Sequence, residues 1–184
     1  MPAQLLLMYF VLPVWFAAGI ADWLCHRHSD IEHTAGPKES LLHLLMFGEI
    51  AIPLVMCLVL EINALVFAVM IIAFLAHELT AFWDVSYAVS RRAVTPLEQH
   101  VHSFLEMMPL AAGLLVATLH WPQLLALFAL GDEPARFAVE WKREPLPLAS
   151  IAAVLVAAAL LELLPYLEEL WRSLRAGGRR RVHP

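Results

Sequence analysis

The stretch "TPLEQHVHSFLE", Thr95–Glu106, runs straight into "MMPLAAGLLVATLHW", Met107–Trp121. The first segment holds two histidines and two glutamates, and the second holds no Asp, Glu, Lys or Arg. A helix start is written locally: Thr95 suits the N-cap, Pro96 the first helical position, and Glu98 can reach back from the third, a capping box. One helix therefore begins polar and continues as an apolar run long enough to enter a bilayer. Ionisable groups at the mouth of such a helix are costly unless something binds them.

The rest of the chain has the same character. Of its 184 residues 61% are hydrophobic, and the mean hydropathy is +0.70, well above ordinary soluble domains. Residues 3–21 carry no charge, enough to cross about 30 Å of hydrocarbon. Five spans are expected, at 3–25, 41–60, 62–83, 97–121 and 145–170, forming one all-α integral-membrane bundle over residues 1–184. The first is read as a retained helix rather than a secretory signal, because it lacks a basic leading region. If the spans alternate, one side collects Arg27, Lys38, Arg91, Arg92, Arg172, Arg175, Arg179, Arg180 and Arg181, and the other only Arg136, Lys142 and Arg143. The positive-inside rule then makes the first side cytoplasmic, with the N-terminus outside. The basic tail, 172–184, is a topology anchor at anionic lipid; no nucleic-acid partner is expected.

Other boundaries follow the same logic. "GPKES" places Pro37 at the opening of the second helix and Glu39 in its first turn. Trp23, Trp83, Trp121 and Trp171 fall near span ends, as in an aromatic belt. Pro13, Pro53, Pro109 and Pro165 lie inside apolar spans, which membrane helices tolerate, and Pro53 and Pro109 could widen a pocket one turn back. Residues 122–144 read as an outer loop with a short apolar piece, "LLALFAL". Cys25 and Cys57 fall at different depths, so no disulfide between them is expected.

The histidines and carboxylates are spaced against one another. Asp22 and His26 are four apart, as are Glu39 and His43; His77 and Asp84 are seven apart; Glu98, His102 and Glu106 follow at intervals of four. Such spacings share a helix face. Four helices thus each bring a carboxylate and a histidine to one membrane surface. Taken singly, Glu98 is explained by capping, Glu39 by the helix dipole, and a lone histidine by headgroup contact. Together, Asp22, His26, Glu39, His43, His77, Asp84, Glu98 and His102 have the composition of a two-metal site in a bundle, with bridging carboxylates and neutral imidazole donors. Glu49 and Glu106 lie further inside their helices and are read as catalytic carboxylates. His100 is about 200° round its helix from Glu98 and points elsewhere. His28 and His33 fall in the loop beside the site.

From Asp22 to Glu106 the layout resembles the histidine-rich integral-membrane desaturases and hydroxylases. Their HxxxH and HxxHH boxes are replaced here by "HRHSDIEH", "HELTAFWD" and "EQHVHSFLE". The resemblance implies a cytoplasmic-side di-iron centre acting with O₂ on a lipid-like substrate. Arg91 and Arg92 could then receive an anionic headgroup or the acidic patch of an electron donor. Two other classes use the same residues: a zinc-dependent hydrolase of lipid amides or esters, with Ser40 near His43, and a non-enzymatic haem or metal carrier.

Overall fold

The computed structural model describes residues 2–180. The chain forms α1 (Pro2–His28), α2 (Pro37–Val59), α3 (Ala64–Ala88), α4 (Pro96–Leu119), the short α5 (Trp121–Leu127) and α6 (Leu148–Gly177), whose helix continues to Arg180. All but α5 are long and apolar enough to cross a bilayer, the architecture of an integral membrane protein. Among the described residues there is no strand, only one isolated bridge, between Leu60 and Trp141. Several helices outrun their expected spans: α2 starts at Pro37, α3 reaches Ala88, and α6 remains helical beyond 170. Hydropathy falls at the first charged residues, but the backbone stays helical there; Glu39 and Asp84 turn inward, while Lys38 and Arg175 lie over Tyr87 and Trp171. Arg181 to Pro184, the end of the expected tail, lie outside the described residues.

α3 shows why these helices pack as they do. Ile72, Leu75, Leu79 and Phe82 are exposed, whereas His77, Thr80, Asp84 and Ala88 are buried. Both sets recur at helical intervals. The apolar stripe faces outward and the polar stripe inward, the reverse of a water-soluble helix. The long helices close a ring in which α6 touches α1 and α2, α1 packs on α4, and α2 on α3, with a narrower contact between α3 and α4. Away from the polar end the interior is filled by Trp15, Phe16, Ile50, Leu58, Val154 and Ala158.

Helix ends are held by specific bonds. Thr95 Oγ1 accepts from the Glu98 amide at 3.1 Å, and Glu98 Oε2 accepts from the Thr95 amide at 3.4 Å, completing the capping box. Asn63 caps α3, accepting from the Val66 amide at 3.3 Å, while its side-chain amide donates to Ala138 O at 2.8 Å. Backbone bonds from Glu61 to Glu140 and from Lys142 to Val59 fasten the outer loop to the same corner.

Two of the four prolines have a visible consequence. Leu7–Val11 and Ala159–Leu163 are π-helical turns, each ending just before Pro13 or Pro165. A proline ring clashes with the carbonyl four residues back, and a widened turn relieves the clash. In α6 the widening also sets register. Val154, Ala158, Glu162 and Tyr166 are all buried, although a spacing of four drifts by about 40° per step in an ordinary α-helix. The π turn takes up that drift and keeps Glu162 inside. α2 and α4 run through Pro53 and Pro109 without a π turn.

Because Thr95 supplies the capping acceptor, Thr95→Ala should lower stability by about 1 kcal/mol, and Thr95→Ser should restore most of it. Thermal unfolding in detergent reads both; an unchanged midpoint in the alanine variant would show that the cap contributes nothing.

Candidate metal centre

The five long helices deliver their inward polar stripes to one end of the bundle. α1 brings Asp22 and His26, α2 Glu39 and His43, α3 His77 and Asp84, and α4 Glu98 and His102, all of them buried. α6 adds Glu162, Tyr166, Glu169 and Ser173, also buried. Pairing each carboxylate with a histidine passes over α6, which has no histidine. Its stripe was nevertheless legible: 162, 166, 169 and 173 are spaced four, three and four, with Glu162 inside an apolar run.

Glu169 organises the centre. Its Oε2 lies 2.9 Å from His26 Nδ1 and its Oε1 2.8 Å from His43 Nδ1. As a carboxylate, Glu169 accepts from both Nδ1–H groups, so that in the neutral rings each Nε2 keeps its lone pair, the arrangement that orients metal-binding imidazoles. The two rings stack, with centroids 4.3 Å apart and planes 6° from parallel.

The free nitrogens face carboxylates. His26 Nε2 is 3.4 Å from Asp22 Oδ1 and 3.5 Å from Glu98 Oε1. His102 Nε2 is 2.9 Å from the same Asp22 oxygen. His43 Nε2 is 3.4 Å from Asp84 Oδ2. Despite these approaches, Asp22 Oδ1, His26 Nε2, His43 Nε2 and Asp84 Oδ1 have no well-aligned hydrogen bond. Asp22, His26 and His102 each offer a ligand atom within 4.8 Å of the others, and so do His26, Glu39 and His43. Ligand atoms about 2.1 Å from one metal lie roughly 3.0 Å apart in an octahedron and roughly 3.4 Å apart in a tetrahedron. The Asp22 distances fall on these values. The residues present therefore fit a metal ion.

The remaining sequence-derived candidates are placed differently. Glu39 and Glu98 are gripped by Arg92, whose guanidinium stands 2.5 Å from Oε1 of each and whose side chain is 3% exposed. Burial alone would lower the Arg92 pKa, but its hydrogen bonds to Glu98 and Glu39 raise it. Arg92 thus points into the centre, which corrects the expectation that it faces a headgroup or donor; Arg91 is the exposed one, stacked over Tyr87. His77 lines the same cavity as His43, Asp84 and His102, and neither of its nitrogens is well bonded. Glu106 also lines that cavity, whereas Glu49 accepts from Thr80 Oγ1 at 2.8 Å and lies 3.9 Å from His77. Ser40 is engaged by Ser173 at 3.1 Å. His100 packs edge-on against Phe104, away from the cluster. His28 and His33 are exposed, and His33 pairs with Asp30 at 2.7 Å.

Compared with family profiles, with curated proteins and with solved structures, the chain matches none.

If Glu169 holds both imidazoles, Glu169→Ala strands two buried Nδ1–H groups and should cost about 3–5 kcal/mol. Glu169→Gln keeps one acceptor oxygen and should cost about 1–3 kcal/mol. Unfolding curves in detergent rank the two; equal, wild-type-like curves would remove Glu169 from this role.

Proposed function

We propose that this chain is a membrane metalloenzyme with a two-metal site at one membrane surface, most simply a di-iron oxidoreductase acting with O₂ on a lipid-like substrate. The observation that carries the reading is the convergence of Asp22 Oδ1, His26 Nε2 and His102 Nε2 without well-aligned hydrogen bonds to one another. Two imidazoles and one carboxylate are the donor set of non-haem iron sites that activate oxygen at their open positions. His43 and Asp84, with His77 on the same cavity wall, would serve the second ion.

The charge of the centre supports the same reading. Asp22, Glu39, Asp84, Glu98, Glu162 and Glu169 are all buried, and among the described residues Arg92 is the only Lys or Arg side chain bonded to any of them. Unpaired carboxylates at this depth are expensive, and two divalent ions would balance most of the excess. In this arrangement Glu169 orients the imidazoles, Arg92 fixes Glu39 and Glu98, and the apolar half of the cavity excludes water and receives a chain. Glu106, on the cavity wall, is placed to move a proton.

A zinc hydrolase is the second reading, because the same three ligands also fit a catalytic zinc with an open position. A haem carrier fits worse: His26 and His43 stack face to face at 4.3 Å, whereas axial imidazoles lie on opposite faces of the macrocycle.

The metal reading is tested on purified protein after iron and zinc supplementation. His102→Ala should lose most of the bound metal and His100→Ala should keep it, compared at equal expression and folding. Two irons favour the oxidoreductase and one zinc the hydrolase; wild-type protein without metal, or full occupancy in both variants, sinks the proposal. The orientation belongs to the same proposal: by the positive-inside rule the Lys and Arg asymmetry would put the centre on the cytoplasmic side, with the N-terminus outside. A reporter fused at Gly36 should read from the cytoplasm, and a signal from the outer side reverses the assignment.

A further inference from the structure

Below the centre lies a cavity of about 50 Å³, several times the roughly 10–15 Å³ that one water needs. Asp22, Asp84, His43 and His102 line its polar end, and Trp15, Phe47, Ile50 and Leu105 its apolar walls. Glu106 and Glu162 also face it, and no Lys or Arg does. The cavity is thus acidic at one end and oily at the other, with no basic side chain among its lining residues.

Glu162 is the group the metal centre leaves over. It is 1% exposed, and its Oε1 has no hydrogen-bond partner. Its position is built rather than incidental. The π turn Ala159–Leu163 turns it inward, and its carboxyl lies flat on the α1 backbone at Gly19, where a Cβ would stand 1.9 Å from Oε2 and 2.2 Å from the carboxyl carbon. Only glycine leaves that space. A carboxyl wedged between a helix backbone and a cavity, with an oxygen left over, is suited to accept a hydrogen bond from whatever enters. Trp15, one helical turn along α1 from Gly19, marks the direction in which an attached chain would run.

We infer that this cavity binds the hydrogen-bond-donating head, hydroxyl or ammonium, of an apolar chain, with Glu162 as the receiving carboxyl. With no metal bound, an acidic head would enter against Asp22 and Asp84, and no Lys or Arg lines the cavity to meet it. Glu162, Gly19 and Trp15 lie outside the proposed ligand set, but Asp22, His43, Asp84 and His102 belong to it and also line the cavity, so head selectivity is read on protein freed of metal by a chelator.

Trp15 provides the readout. Bromohexanol, bromohexylamine and bromohexanoate, each brominated at the end away from the head, are titrated into detergent-solubilised full-length protein. Quenching is taken as the difference between wild type and Trp15→Phe. The alcohol and the amine should quench at a concentration about tenfold or more below the acid, as one charge-assisted hydrogen bond allows. Glu162→Leu should abolish that advantage. Glu162→Gln should keep the alcohol and lose the amine's preference, which separates hydroxyl from ammonium recognition. Gly19→Ala retains the glutamate but pushes its carboxyl aside, and should weaken both probes even if Glu162→Leu fails to fold. Equal quenching by the acid, or wild-type titrations in both Glu162→Leu and Gly19→Ala, overturns the inference. Metal content measured on the same protein before chelation keeps the two proposals apart: wild-type protein that purifies without metal yet selects the alcohol or amine removes the metal reading and leaves this one standing.

Discussion

One buried carboxylate ties the centre together. Glu169 on α6 reaches His26 on α1 and His43 on α2 through separate oxygens, 2.9 and 2.8 Å away. Those contacts determine which nitrogen of each ring is protonated, hold the rings in a stack, and aim both Nε2 atoms at carboxylates of neighbouring helices. Without Glu169 the two imidazoles could rotate, Asp84 would lose the fixed His43 partner, and Asp22 would keep His102 but lose His26. In a low-dielectric interior such a doubly used carboxylate is strong because no water competes for it. Three helices are thereby joined at the polar end by hydrogen bonds, while further along the bundle Trp15, Phe16, Ile50, Leu58, Val154 and Ala158 pack between them.

The buried carboxylates fall into groups by what meets them. Glu39 and Glu98 share Arg92, a cation supplied by the loop between α3 and α4, where a long side chain can fold back into the bundle. Glu169 is met by two imidazole nitrogens. Asp22, Asp84 and Glu162 each keep an oxygen with no aligned donor. Elsewhere among the described residues polar side chains are commonly bonded near the helix ends, as Thr95, Asn63 and Tyr87 are. The unmet oxygens of Asp22, Asp84 and Glu162 thus share one cavity, as in a binding site, whereas those of Glu49 and Glu78 lie off it.

Small backbone features set where those oxygens point. Pro165 lies just past the π turn that carries Glu162 inward, and Gly19 removes the one methylene that would block it. Neither residue has chemistry of its own. Glu162 reaches the cavity only because a widened turn on α6 lies against a bare stretch of backbone on α1.

The sequence by itself determined the fold class: charge-free runs of bilayer length admit little besides membrane helices, since the backbone must satisfy its own hydrogen bonds in lipid. It also determined the faces, because spacings of three, four and seven put Asp22 with His26 and Glu98 with His102 whatever the packing. The capping box at Thr95 was equally local. What periodicity could not supply was the angle of one helix about its neighbours. That angle turned Arg92 inward onto Glu39 and Glu98, set Glu49 against Thr80 instead of the cavity, and brought Glu162 and Glu169 of α6 among residues more than 110 positions earlier in the chain. Contacts on one helix follow from covalent geometry and are written in the sequence. Contacts between helices depend on how five ridged cylinders seat together, and only the assembled bundle decides that.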